Sequence, residues 1–484
     1  MGVKSVVIHA SMGKTPARDE TPAPARPDSP AWDGARRARE ELDPGTTVTQ
    51  ATASIPHRRG TGRALLLASC CLLAVAVAGC GQPGPVAAPA EPEVAGEELD
   101  APAPDPTRTV DRPRVVSDLP LSGSARAQAL TMVQAIDMAF EQAGRRVGGR
   151  PIDYESMDGS SQAGEWDEET CIENITRAVE DPSVVAVIGP FNSGCARVQV
   201  PVANEAGLAM VSPATTAVGL TRASGIPGEP DRYYPSGVRT FLRVAVTDDV
   251  QARGAVAWAR GPLGHETAYV IHDREAYGRG LAAQFRTAAA AAGLRVVGFE
   301  SIDRSARNQR ELATRVRESG ADLLYFAGVF GNGAGQLVRD VRRSGSEVAI
   351  MGPDGIFDDA FIEAAGDAAD GVHATFGGVP PEKLTGTGQA FIREFSERHG
   401  PPSAYTAAAY DAARVVLRAV TACADDGAVS RACVAEELFA IRDFDGAIGT
   451  FSFTDTGDVD LARLSGFQVR AGQWAFVRTL DADV

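Results

Sequence analysis

Two loops in this 484-residue chain combine hydroxyl groups, small residues and backbone N–H groups as carboxylate recognition requires. One is Gly189-Pro190-Phe191-Asn192-Ser193-Gly194, directly after the apolar run from Val184 to Ile188. The other is Ser212-Pro213-Ala214-Thr215-Thr216, after Ala209-Met210-Val211. At the start of a helix, unpaired N–H groups and the helix dipole favour an anion, and hydroxyls add charge-assisted hydrogen bonds. Either loop alone is more simply an N-cap. Two further loops change the balance. Asp273-Arg274-Glu275-Ala276-Tyr277-Gly278 and Gly352-Pro353-Asp354-Gly355 occupy the same kind of position in the second half of the chain. An Asp there can pair an ammonium, and the Tyr277 ring can close over a ligand. A carboxylate site and an ammonium site together describe a small zwitterion.

The remaining motifs offer little chemistry of bond-breaking. Gly331-Asn332-Gly333-Ala334-Gly335 follows a strand and opens a helix, but its spacing is not G-x-G-x-x-G and no acid follows where a ribose partner belongs. His265 and His272 flank a strand without the spacing of a zinc helix. No G-x-S-x-G elbow and no evident Ser/His/Asp set is present. The expectation is therefore a binding protein rather than an enzyme, with no catalytic residue, metal or cofactor.

The elements that must position these loops alternate between two periods. β-Branched runs are followed by Ala-rich amphipathic stretches, first from Val115 to Val211 and again from Thr267 to Met351. Helices are expected near 125–143, 168–179, 196–206, 280–292, 309–319 and 336–343. Val184–Ile188 is apolar throughout, as a strand covered on both faces should be. Such alternation predicts an α/β fold with two doubly wound, Rossmann-like parallel-sheet lobes, whose ligands bind beyond the carboxyl ends of the strands.

With 47 Lys and Arg against 63 Asp and Glu, the chain has a net charge of −16. No basic surplus exists to neutralise phosphates, which argues against a nucleic-acid partner. The basic stretch His57, Arg58, Arg59, Arg63 precedes an apolar run from Ala64 to Ala78, too short to span a bilayer. With the small residues that follow, it predicts a secretory signal over 57–80. The run ends Val77-Ala78-Gly79-Cys80, which resembles the bacterial lipobox and makes Cys80 the lipidation site. Residues 1–56 read as a start assigned too far upstream or a disordered extension. Residues 81–112, rich in Pro, Ala and acids, read as a tether. Without residues 1–80 the chain keeps 37 basic and 56 acidic residues, a net −19. Four cysteines remain after Cys80, namely Cys171, Cys195, Cys423 and Cys433, and three pairings are open to them. The sequence-local pairs are the simplest, and an oxidising compartment suits them better than a zinc site.

Six short matches in order carry a family resemblance: Pro120-Leu121-Ser122-Gly123, Ile188-Gly189-Pro190, Ser212 to Thr216, Tyr277-Gly278, Gly352 to Gly355, and Tyr405-Thr406-Ala407-Ala408-Ala409-Tyr410-Asp411-Ala412. From about Val115 onward the chain resembles the type I periplasmic binding proteins, specifically the leucine/isoleucine/valine-binding family of ABC importers. The resemblance implies two α/β lobes joined by three crossings, lobe 1 from 113–240 and 371–460, lobe 2 from 241–370 and 461–484. It implies that the Ser193 and Thr216 hydroxyls bind the ligand carboxylate, that the Ala214–Thr216 backbone, Thr215 included, holds carboxylate and amino group, and that Asp354 pairs the ammonium. Asp354 stands where amino-acid binders of the family usually have Glu. Tyr277 would cover the ligand. Val329 or Phe330 would wall the side-chain pocket, and Gln128 would make it more polar. A disulfide between Cys171 and Cys195 near the ligand loop is a further family feature.

The expected function is a monomeric, lipid-anchored solute-binding protein on the extracytoplasmic face of the cell membrane. It would capture a branched-chain type amino acid, or a related amide, for an ABC permease by hinged closure. A sensor of the same fold, signalling to a membrane receptor, is the alternative.

Overall fold

The computed structural model describes residues 105–160 and 166–480. The signal, Cys80 and most of the tether lie outside the described residues. Among the described residues, no helix is long and apolar enough to cross a membrane.

Five short strands form the first sheet: β1 (Arg114–Leu119), β2 (Asp153–Asp158), β3 (Val184–Ile188), β4 (Ala209–Ser212) and β5 (Phe241–Arg243). They run parallel in the order β2-β1-β3-β4-β5. Side chains alternate in direction along a strand, so successive residues of β1 serve two cores. Val115 packs with Met132, Ile136 and Phe140 of α1 (Arg126–Gln142), while Val116 packs with Ile175 of α2 (Glu168–Glu180) and Val200 of α3 (Ser193–Glu205). A sheet buried on both faces needs no polar face, which is why β3 reads as five consecutive apolar residues.

The second sheet repeats the plan with an addition. Its parallel strands are β6 (Thr267–His272), β7 (Arg295–Ser301), β8 (Leu323–Ala327), β9 (Ala349–Gly352) and β10 (His373–Gly377), and an antiparallel hairpin, β11 (Leu464–Arg470) with β12 (Gln473–Leu480), closes one edge. The order is β12-β11-β10-β9-β8-β6-β7. The helices α4 (Asp248–Arg260), α5 (Ala276–Ala292), α6 (Arg310–Ser319), α7 (Ala334–Arg343) and α8 (Asp359–Ala365) cover its faces. The chain then returns to the first lobe with α9 (Thr387–His399), α10 (Thr406–Asp425) and α11 (Arg431–Phe439), whose buried Ala, Val and Phe side chains complete its larger core.

Three expectations need correction. β5 pairs with β4, so the first crossing follows Arg243 rather than residue 240. β10 pairs with β9, so the second lobe runs past residue 370 to Gly377. The end of the expected tether belongs to the folded body. Val110 donates its N–H to the Val429 carbonyl at 2.9 Å, Ala432 donates to the Pro106 carbonyl at 2.9 Å, and Pro106 lies against Gly207. A backbone paired in this way is ordered by its partners even where its composition is Pro-rich.

Disulfides join Cys171 to Cys195 and Cys423 to Cys433. The first ties α2 to the opening turn of α3, and the second ties α10 to α11.

Candidate functional site

The carboxyl ends of both sheets face one cleft, lined by residues of both lobes. On the first lobe, β3 ends at Ile188 and α3 begins at Ser193. The residues Asn192, Ser193 and Gly194 line the cleft. The N–H groups of a first helical turn lack intrahelical acceptors, so this turn can receive an anion. The Ser193 hydroxyl accepts a hydrogen bond from the Ala217 N–H at 3.4 Å, which couples it to the second loop.

That second loop is held from three sides. The Ser212 hydroxyl donates to the Pro190 carbonyl at 2.7 Å and accepts from the N–H groups of Ala214 at 3.2 Å and Thr215 at 2.9 Å. The fully buried Arg243 donates to the Ala217 carbonyl at 2.7 Å and the Thr215 carbonyl at 3.3 Å. The Asp248 N–H donates to the Thr216 carbonyl at 2.9 Å. A loop so pinned does not have to be ordered when a ligand arrives.

On the second lobe the central group is Asp354, buried at 6% exposure. Its Oδ1 accepts from the Tyr277 hydroxyl at 2.5 Å, and its Oδ2 accepts from the Tyr405 hydroxyl. Tyr405 comes from the first lobe, immediately before α10, so this pair already bridges the cleft. Burial, and then the negative charge of Asp354, hold both phenols well above their ordinary pKa, so both stay protonated donors. Gly355 can approach only because it has no side chain: a Cβ would sit 2.5 Å from the Gly328 carbonyl and 3.0 Å from the Tyr277 ring.

A second carboxylate lies behind the first. Asp248, at the start of α4, is fully enclosed, and neither carboxylate oxygen has a hydrogen-bond partner of good geometry. Burial pushes its pKa up to about 8, and the charge of Asp354 adds to that, while the neighbouring Thr216 hydroxyl and Arg243 oppose it. The Tyr325 hydroxyl, also buried and unpartnered, completes a polar cluster around Asp248 and Asp354.

This arrangement meets its counterparts among known proteins. The sequence profile of the periplasmic binding protein family matches residues 118–472. The chain belongs to that family. An amino acid binding protein of Pseudomonas aeruginosa is 30% identical over 236 residues, which span 48% of this chain and 59% of that protein. Two solved structures share the fold. A leucine-binding protein, LivK, from Thermotoga maritima superposes with a TM-score of 0.68 at 23% identity, over 77% of this chain and 99% of its own. A branched-chain amino acid transporter substrate-binding protein, LivJ, from Streptococcus pneumoniae, solved with isoleucine, gives 0.65 at 21%, over 76% and 99%. Periplasmic binding proteins are binding proteins rather than enzymes, and the two-lobed α/β fold is theirs.

Of the expected site residues in this periplasmic binding protein, Ser193, Ala214, Thr216, Tyr277, Asp354, Phe330 and Gln128 all line the cleft, as does Val329. Thr215 does not. Its side chain is fully buried away from the cleft with its hydroxyl unpartnered. Ala214 is also more restricted than expected, because Ser212 already engages its N–H. Asp273 is no ammonium partner: it accepts from the Glu275 N–H, the Val329 N–H and the Asn332 side chain, and so fixes two second-lobe loops to each other. The cleft residues given no role by the sequence include four aromatic ones, Trp166, Phe191, Phe357 and Tyr405. Among the described residues, the metal-ligand types gather at Asp118, Cys171 and Cys195, but those two sulfurs are bonded to each other and are not thiolates.

Proposed function

We propose that this periplasmic binding protein captures an α-amino acid and delivers it to an ABC permease from the extracytoplasmic face of the membrane. The observation that carries this reading is the opposition across one cleft of a helix N-terminus with the Ser193 and Thr216 hydroxyls and a carboxylate, Asp354, held by two phenols. The first suits a ligand carboxylate and the second a ligand ammonium. A ligand touching both lobes binds the closed form better than the open one, so it shifts the hinge toward closure. Relatives named as leucine-, isoleucine- and valine-binding proteins support the class of ligand. Attachment through a lipidated Cys80 completes the reading, and Cys80→Ser should move the protein from the membrane fraction to the soluble one.

The test of the ligand class is calorimetric titration with a panel of amino acids and small amides. Ser193→Ala and Asp354→Ala should each weaken an amino-acid ligand by about 1.5–3 kcal/mol, the worth of a charged hydrogen bond. Unchanged affinity in both variants, or no binding of any amino acid by the native chain, overturns the reading.

A further inference from the structure

We propose that the ligand carries an aromatic side chain, so that the captured molecule is an aromatic α-amino acid. This rests on the amino-acid reading above and adds to it what the walls of the cleft say about the side chain. Six of the 22 described residues lining the cleft are aromatic, whereas aromatic residues make up 6% of the whole chain. The enrichment is confined to rings. Among the described lining residues there is no Leu, Ile or Met, and Val329 is the largest aliphatic side chain.

The rings stand on both sides of the cleft and are held in place. From the first lobe, Phe191 meets the Tyr405 ring edge-on at 5.8 Å, and the Trp166 indole lies against Gly194 so closely that a Cβ there would come within 2.2 Å of it. From the second lobe, Tyr277 is fixed through its hydroxyl on Asp354. Phe357 is packed against Phe376, Phe467 and Trp474 at 5.4, 4.2 and 5.3 Å. Phe330 opens the short turn before α7. Fixed rings on opposing walls offer faces and edges to a planar group between them, the geometry in which aromatic pairs gain energy beyond simple burial. Their alignment is settled before the ligand arrives, so little ordering is required on binding.

The same rings would also attract a quaternary ammonium, and the test separates the two. Calorimetry on the purified full-length chain is run with phenylalanine, tyrosine, tryptophan, leucine, isoleucine, valine and choline. At least one aromatic amino acid should bind roughly tenfold more tightly than any of the three aliphatic ones. Phe330→Ala should lower affinity for that aromatic amino acid by more than it lowers leucine affinity, and so remove most of the preference. Trp166→Leu should do the same from the other wall, and the native chain's tryptophan emission should shift on binding. If leucine, isoleucine or valine binds as tightly as the aromatic amino acids, the aromatic assignment falls and amino-acid capture stands. If choline binds and no amino acid does, both fall.

Discussion

At the scale of single residues, the site holds two carboxylates in different surroundings. Asp354 is held between two phenols and aimed into the cleft, so losing one phenol should matter. Tyr405→Phe leaves Asp354 Oδ2 without its donor. It should weaken an amino-acid ligand by about 1–2 kcal/mol in titration calorimetry, and an unaltered Kd would mean that Tyr277 alone positions the acid. Asp248 is the opposite case. Its pKa is raised from 3.8 to about 8 by burial, with the Asp354 charge adding to the effect and Thr216 and Arg243 opposing it. Between these two values the folded state retains a proton that the unfolded chain releases. The native state therefore binds more protons, and stability falls as pH rises through the window. Asp118, at about 7, and Asp411, at about 6, contribute in the same direction. Asp248→Asn should flatten the decline of the ligand-free melting temperature between pH 5 and 8, and a slope equal to that of the native chain would show that Asp248 is ionised throughout. Ser193, Thr216 and Asp354 were legible in the sequence because each follows an apolar strand in a short polar loop. Asp248 was not, because an acid in the first turn of a helix is ordinary. Tyr405 and Trp166 were not, because nothing local announces a contact between residues so far apart in the chain.

At the scale of elements, the disulfide between Cys171 and Cys195 fastens the first turn of α3 to α2, and Trp166 rests on the same turn. Closing a loop over a sequence separation of 24 contributes about 3 kcal/mol in the chain-entropy model. The double variant Cys171→Ser/Cys195→Ser should therefore melt several degrees lower by calorimetry, given the roughly 2–4 °C per kcal/mol typical of a domain this large. A melting temperature within a degree of the native one would show that packing alone holds α3. The elements themselves were readable in proportion to their length and regularity. Val184–Ile188 is bounded in the structure as the sequence suggests, and α2 differs by one residue. β5 has only three residues, too few to establish a period, and its pairing with β4 moved the lobe boundary. β10 and the hairpin β11–β12 come from opposite sides of a long excursion into the first lobe, and no local pattern says which sheet they join.

At the scale of the whole molecule, the two lobes meet where Arg243 ends β5 and the chain crosses to α4. Arg243 has no exposed surface, and its Nε donates to Asp458 at 2.7 Å from the last stretch before the third crossing. Arg222 donates to the other oxygen of Asp458 at 2.9 Å, and to Asp249 at 2.9 Å at the start of α4. The same Arg243 guanidinium holds the Thr215 and Ala217 carbonyls of the loop that follows β4. One buried cation thus connects the crossing between the lobes to a loop that lines the cleft. Burial alone would raise the Asp458 pKa, but Arg243, Thr221 and Arg222 outweigh it and the net shift is downward. The pair therefore contributes stability above the unfolded carboxylate range and loses it as pH falls. Asp458→Ala leaves Arg243 buried without its partner, which typically costs about 3–5 kcal/mol. If Arg243 acts only as a structural anchor, the melting temperature should drop while ligand affinity at a temperature well below melting stays unchanged. The shared hydrogen bonds argue for more. With its carboxylate partner gone, the guanidinium should shift, the loop from Ser212 to Ala217 should lose its registration, and amino-acid affinity should fall roughly tenfold together with stability. Calorimetric titration and thermal melting of the same preparation decide between the two, since only coupling of the crossing to the loop from Ser212 to Ala217 lowers both.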